Sequence, residues 1–272
     1  MPLIDFKLLL LVAIIFIPLE RIFALHREQK LFRKNFLNDL IYLVFNSIPI
    51  IIIVGLLVQI VISGLGRIIP ETIGEAVQSQ PIWLQSIEAI IIADIGFYLA
   101  HRTFHAVPFL WRFHMIHHSI EEMDWIAAHR VHPVDQGITK ATSIIPLFAL
   151  GFSGEAIAIY AFIYQWQSVF IHSNVRIRFG PLKWILASPQ FHHWHHANEE
   201  KAFDKNFAGQ LPILDVIGGT LFMPKKDMPI KYGTEGAPKN LYHKQLIFPL
   251  LPKSSEDQVG AHNGSKNSEV KQ

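Results

Sequence analysis

An all-α integral membrane protein is the fold class this sequence predicts, on three observations. Half of its 272 residues are hydrophobic and only 17% are charged, with a mean hydropathy of +0.28, a balance typical of chains that bury themselves in lipid. Long apolar runs of helical length recur through the first two-thirds of the chain. Twelve of the fifteen histidines fall between His101 and His196, most of them at helix-turn spacings. Together these predict about three to four transmembrane helices plus a helical hairpin, with a histidine-box helical cap on the cytoplasmic side.

The first apolar segment runs from about Leu8 to Leu19. Glu20-Arg21 and a basic run follow it instead of a small-residue cleavage site, so it reads as a retained anchor helix and not a signal peptide. Leu40 to Leu65, including Pro49-Ile50-Ile51-Ile52-Ile53-Val54, is long enough to cross a bilayer with some tilt. A loop with Gly64, Gly66 and Pro70 leads to a third span, Trp83 to Ala100, interrupted by Glu88 and Asp94. A fourth apolar region, Thr142 to Phe152 and Glu155 to Ile171, is split by Gly151-Phe152-Ser153-Gly154. Its first arm, about eleven residues or about 17 Å as a helix, is too short for a hydrocarbon core of about 30 Å. That predicts a hairpin which dips in and returns to the same side, leaving every histidine box on one face.

Arg21, Arg27, Lys30, Arg33 and Lys34 place the loop between the first two spans in the cytoplasm. The third span then returns to the cytoplasm at His101, and Lys201, Lys205, Lys225 and Lys226 agree with that side. From about Lys253 the chain is polar without an aromatic residue, which predicts disorder. The expected organisation is 1–93 for the N-terminal spans, 94–222 for the histidine-box domain, 223–252 for an extension and 253–272 for the tail.

The absence of cysteine excludes disulfides, thiolate-ligated zinc, iron–sulfur clusters and thiolate-bound haem. A net charge of +2 without clustered basic and stacking residues excludes nucleic acid as a partner. No Gly-x-Gly-x-x-Gly run marks a nucleotide domain.

The histidines read His101-Arg-Thr-Phe-His105, His114-Met-Ile-His117-His118 and His192-His193-Trp-His195-His196, with His132 and His172 between the boxes. Residues three and four apart share a helix face, so each box presents two or three imidazoles in one direction. A single histidine is more often a hydrogen-bonded core or surface residue; three boxes in under a hundred residues predict metal binding. They supply too many nitrogens for one ion, which points to a dinuclear centre. Imidazole suits iron, zinc and copper, and spacing does not separate them. Asp94 sits about two turns below His101 on the same helix, where it could orient a ligand ring or bridge two helices. By position at the membrane surface the site suits a lipid; a hydrolase or an oxidase remains open at this point.

His-x-x-x-His, His-x-x-His-His, His172-Ser173-Asn174 and a final His-x-x-His-His resemble the fatty acid hydroxylase and sterol desaturase superfamily. Phe97-Tyr98-Leu99-Ala100-His101-Arg102 through His118, Ser188 through His196, and Asp204-Lys205-Asn206-Phe207-Ala208-Gly209 with Asp215 and Gly219-Thr220 carry the likeness. The last stretch looks most like the alkylglycerol monooxygenase branch. The resemblance covers roughly Asp94 to Phe222 and implies a non-haem di-iron oxygenase that uses oxygen and two electrons on a lipid. By motif position it implies His101, His105, His114, His117, His118, His172, His192, His195 and His196 as ligands, with zinc able to replace iron on purification. His132, His193, Asn174 and Asp94 are further candidates for ligation or for support of the ligands. His129 is a weaker one, and Asn174 could instead cap a helix.

Five of the six tryptophans, Trp111, Trp125, Trp166, Trp184 and Trp194, read as interfacial or packing residues. Leu211 to Phe222 could cover the site or pack against it. His132-Pro133 is followed by Val134-Asp135, so the His-Pro-Gly-Gly mark of a fused haem domain is absent. Electrons must therefore come from a separate donor protein or a diffusible reductant, for which the nearest branch suggests a reduced pterin. Hydroxylation leads, desaturation on the same centre is the close rival, and a metal transporter or non-catalytic metal protein is the alternative from another class. A transporter would string its ligands through the bilayer midplane instead of grouping them at one surface. No Lys-Asp-Glu-Leu-type signal ends the chain, which favours the plasma membrane over the endoplasmic reticulum.

Overall fold

A computed structural model describes residues 6–65, 69–225, 227–238 and 241–252. Its regular elements are helices: α1 (Phe6–Ile22), α2 (Phe36–Phe45), α3 (Ser47–Leu65), α4 (Glu71–Gln78), α5 (Ile82–Ala106), α6 (Pro108–His118), α7 (Pro133–Ala149), α8 (Gly154–His172), α9 (Pro189–His195), α10 (Ile213–Ile217) and α11 (Tyr242–Ile247). Two of the described helices are long and apolar enough to cross a membrane, α3 over Ser47–Gly64 and α5, against the three to four spans expected. Ile51, Ile52, Leu56 and Ile60 of α3 are exposed, an apolar stripe too large for water and suited to acyl chains. The polar tail 253–272, Gly66 and Lys226 lie outside the described residues.

The run from Leu40 to Leu65 is not one span. It breaks at Asn46, whose amide donates to the Val131 carbonyl at 2.6 Å and accepts from the Tyr242 hydroxyl at 3.2 Å. The segment before the break, α2, is amphipathic and buries Asn38, Asp39 and Tyr42. The backbone of Asn46 stays helical and its N–H donates to the Tyr42 carbonyl, while Pro49 has no N–H to return to Phe45, so the ladder is interrupted only locally.

Helix α5 is the axis of the fold and packs on α6, α7 and α8, while α7 also packs on α3. Small residues make the close approach possible. Ala89 and Ala93 of α5 meet Leu147, Phe152, Ala156 and Tyr160 in one buried cluster. At Gly96 a methyl group would collide with the Thr142 carbonyl and the backbone of Ser143, so a larger residue there would push α7 away from α5.

The helical hairpin is α7 and α8. Its first arm has 17 residues, not about eleven, because α7 begins at Pro133. Proline suits the first helical position, and His132 Nδ1 caps the turn by accepting from the Val134 N–H at 3.1 Å. The early turns carry Asp135, Gln136, Thr139 and Lys140, so they escape a search for apolar runs. The hairpin turns at Gly151, where φ is +79°, a backbone region that glycine enters without penalty. The start of α5 holds that turn, since Ser153 N–H donates to Gln85 Oε1 at 3.1 Å. The other ends of both arms lie beside His101, so the hairpin returns to the end from which it sets out.

Candidate metal centre

Four helix ends converge there. The C-terminal end of α5 brings His101 and His105, α6 brings His114, His117 and His118, the last residue of α8 is His172, and α9 carries His192 and His195 with His196 just after it. Helix α9 is started by Ser188, whose hydroxyl accepts from the Phe191 N–H at 3.3 Å, and by Pro189 in the first turn. Asn206 then clamps this region, its amide donating to the carbonyls of Phe191 and Phe222 at 2.8 and 2.7 Å.

The nine imidazoles fall into two groups, each with its donor atoms within 4.8 Å of one another: His101, His105, His114, His118 and His195, and His117, His172, His192 and His196. Helical rotation divides the second and third boxes, whereas His101 and His105 of the first stay together. His114 and His118, four residues apart, go to the first group while His117 goes to the second; on α9 His192 and His196 go to the second and His195 to the first.

The outer ring nitrogens show what the inner ones must be. Nδ1 of His101, His117, His172 and His195 faces the carbonyls of Phe207, Arg130, Ser168 and Lys205 at 2.7, 3.0, 2.7 and 2.8 Å. Nδ1 of His114 faces Asp135 Oδ2 at 2.8 Å, and that of His105 faces Asp204 Oδ1 at 3.1 Å. Carbonyls and carboxylates only accept, so in these six rings Nδ1 carries the proton and Nε2 presents a lone pair. Yet Nε2 of His101 lies 3.0 Å from that of His114, and Nε2 of His117 lies 3.2 Å from that of His172. Burial holds His114 down to about 3 and lowers His117, His118, His195 and His196 as well, so the rings stay neutral and no second proton bridges them. Facing lone pairs repel unless a cation lies between them. The buried Nε2 of His105 has no partner at all. The donor set fits a metal.

Spacing in the second group fits one too. Its Nε2 atoms close a ring, His117–His172–His192–His196, with edges of 3.2, 2.9, 3.1 and 3.1 Å. A metal–imidazole bond of about 2.1 Å gives about 3.0 Å between ligands at right angles and about 3.4 Å in a tetrahedron. The opposite pairs stand further apart, with ring centroids at 6.2 Å for His117/His192 and 5.3 Å for His172/His196. The four edges are the spacing of donors that could share one ion.

Four further candidates lie outside both groups. His132 donates from Nε2 to the Leu246 carbonyl at 3.1 Å while Nδ1 caps α7, so both nitrogens are spent. His193 is fully buried and likewise spent, Nε2 donating to the Ser173 carbonyl at 3.0 Å and Nδ1 accepting from the Tyr232 hydroxyl at 2.8 Å. In both rings the proton sits on Nε2, opposite to the six above. Asn174 neither ligates nor caps: its side chain pairs with the backbone of His26, tying the chain after α1 to the end of α8. Asp94 reaches no histidine. It accepts from the N–H groups of Gly209, Gln210 and Leu211 at 3.0, 3.0 and 2.7 Å, which seats the loop whose Phe207 carbonyl holds His101. His129 also lies outside both groups. Of the tryptophans, Trp125 and Trp194 are buried packing residues.

Two carboxylates do orient rings, the exposed Asp204 at His105 and the buried Asp135 at His114; Asp135 was missed in the sequence although it sits in the first turn of α7, right after the His-Pro pair. Replacing it with alanine is expected to weaken metal binding at the first group by about 10–100-fold, measured by competition with a chelator. Unchanged affinity would show that His114 is oriented by packing alone. Equally hidden was a buried network: Arg33 bridges Asp39 and Asp124 at 2.5 and 2.6 Å, and Arg130 pairs with Asp39. Arg33, which reads as a loop charge, is 4% exposed. The network fixes Arg130, whose carbonyl accepts from His117. Asp215 closes the frame by accepting from the N–H groups of Phe207 and Ala208.

Beside the two groups lies a small cavity of about 60 Å³ that touches His101, His114, His117, His172 and His192, with Phe97, Tyr164 and Ile171 as its apolar wall. Members of both groups line this space.

The fatty acid hydroxylase family matches residues 86–220. Ornithine lipid hydroxylase OlsE of Rhizobium tropici is 31% identical over 180 residues, 66% of this chain and 54% of that protein. Human alkylglycerol monooxygenase is 36% identical over 132 residues, 48% of this chain and 29% of that protein. Very-long-chain aldehyde decarbonylase GL1-1 of Oryza sativa subsp. indica is 32% identical over 164 residues, 56% of this chain and 26% of that protein. The chain thus spans about half or less of the length of these relatives. No solved structure matches it.

Proposed function

This chain belongs to the fatty acid hydroxylase family, and from that premise we propose that it is a membrane oxidoreductase that hydroxylates a lipid at a di-iron centre. The single observation that carries the proposal is the pair of histidine groups with unshared, inward-facing Nε2 atoms beside an apolar cavity. His101, His105, His114, His118 and His195 would hold one iron and His117, His172, His192 and His196 the other. Bound iron supplies the redox chemistry with oxygen that no side chain here can provide.

The chain's own residues do the rest. Carbonyls of Phe207, Arg130, Ser168 and Lys205, with Asp135 and Asp204, keep the protons on Nδ1 and the lone pairs turned inward. Phe97, Tyr164 and Ile171 wall the reaction space and exclude water from the carbon to be oxidised. The basic loop after α1 orients the centre toward the cytoplasm, where a separate donor protein or a diffusible reductant such as a reduced pterin delivers electrons. The relatives named for ornithine lipid and alkylglycerol support a glycerol- or amino-acid-linked lipid as substrate.

Lipid mass spectrometry of cells expressing wild type or His195→Ala at equal protein level tests this. A wild-type-specific lipid heavier by one oxygen is expected. A product lighter by two hydrogens would replace hydroxylation with desaturation, and no difference in the presence of oxygen and reductant would overturn the enzymatic reading.

A further inference from the structure

A second cavity, of about 320 Å³, opens between α1, α2, α3, α7 and α8, at the lower end of the about 300–1,000 Å³ typical of small-molecule sites. Leu9, Val12, Leu43, Ile50, Val169 and Trp166 make it largely apolar. Ile51 of α3 both lines it and is 65% exposed on the outer surface, so the cavity reaches the side that faces acyl chains. It meets the small cavity beside the histidines at two residues that line both, Gln136 and Lys140. These are four apart on α7 and so share one face.

Lys140 has no carboxylate partner among the described residues. Asp135, on the same helix, is engaged by His114 and Thr139. Asp39 and Asp124 are engaged by Arg33 and Arg130, and Asp94 by the three loop amides. The facing residue nearby on another element is His129, which also lines the second cavity. A lysine in an apolar cavity without a carboxylate partner holds its charge most readily where a ligand brings the counter-ion.

We propose that the two cavities form one lipid path and that Lys140 is its anion site, selecting a lipid that carries a carboxylate or phosphate and holding that group at the junction. The hydrocarbon lies in the second cavity, and the part to be oxidised reaches the histidine groups through the first. Gln136 adds hydrogen bonding at the same constriction. The inference rests on the lipid-oxidising role above but makes a separate demand, that binding depends on charge.

The test is equilibrium binding of palmitate, hexadecyl phosphate and uncharged hexadecanol to detergent-solubilised, metal-loaded full-length protein. Wild type is compared with Lys140→Met, Lys140→Gln and Lys140→Arg, with metal content measured in each. Wild type is expected to favour at least one anion over hexadecanol by about tenfold or more; which one wins identifies the group as carboxylate or phosphate. The preference should vanish in Lys140→Met and Lys140→Gln and persist in Lys140→Arg, with metal content and hexadecanol affinity unchanged. Equal binding of charged and uncharged probes by wild type, or an anion preference that survives Lys140→Met or Lys140→Gln, overturns the proposal. If the anion preference depends on Lys140 but no oxidised lipid forms in cells, the enzymatic reading fails and the anion site stands. If oxidised lipid forms and binding ignores charge, the reverse holds.

Discussion

His172→Ala is expected to leave the purified protein with one bound metal ion per chain in place of two, and to reduce lipid oxidation by more than about a hundredfold. His172 is the single imidazole that α8 contributes, and it completes the ring of four in the second group at 3.2 Å from His117 and 2.9 Å from His192. Without it three donors remain there, while the five of the first group are untouched. Losing a partner that merely orients a ligand costs about 10–100-fold in affinity or activity, and losing the ligand itself costs more. Elemental analysis beside lipid mass spectrometry reads both effects. Two retained ions with full turnover would mean that the second group is not a metal site.

Asp39→Ala is expected to destabilise the fold by about 3–5 kcal/mol, the cost of removing one partner from a buried ion pair. Asp39 lies between two buried guanidiniums: Arg33 keeps Asp124, and the fully buried Arg130 loses the Asp39 carboxylate while keeping Ser119. The damage should spread to the centre, because the Arg130 carbonyl orients His117. Thermal unfolding in detergent, with metal content followed in parallel, measures both consequences. Asp39→Asn should fall between wild type and alanine, since the amide keeps one acceptor. A loss below about 1 kcal/mol, the scale of an exposed pair, would show that the network carries no burial penalty.

Parts of this architecture are plain in the sequence for local reasons. Imidazoles at intervals of three and four must share a helix face, so the boxes at His101, His114 and His192 announce convergent donors before any folding. The Gly151-to-Gly154 break announces the hairpin turn, and Pro133 and Pro189 start helices because proline costs nothing there. What stayed illegible depends on partners distant in sequence. The side chain of Asn46 is polar inside an apolar run because Val131 and Tyr242 meet it. Asp94, which by position could have oriented a histidine, instead collects amides from 209–211, while Asp135 takes the orienting role because α7 packs along α5 and lays its first turn against His114.

The sequence by itself determined that this is a helical, lipid-compatible chain, with histidine boxes at metal-ligand spacing and no cysteine. Those properties follow from composition and from the 3.6-residue period, which act over a few residues. Only the tertiary structure decided that nine imidazoles divide five and four, that His132 and His193 turn their protons elsewhere, and that Lys140 stands between two cavities with no carboxylate partner among the described residues. The reason is physical: helical spacing sets the angle at which a side chain leaves its helix, but what waits in that direction is set by helices that arrive from elsewhere in the chain.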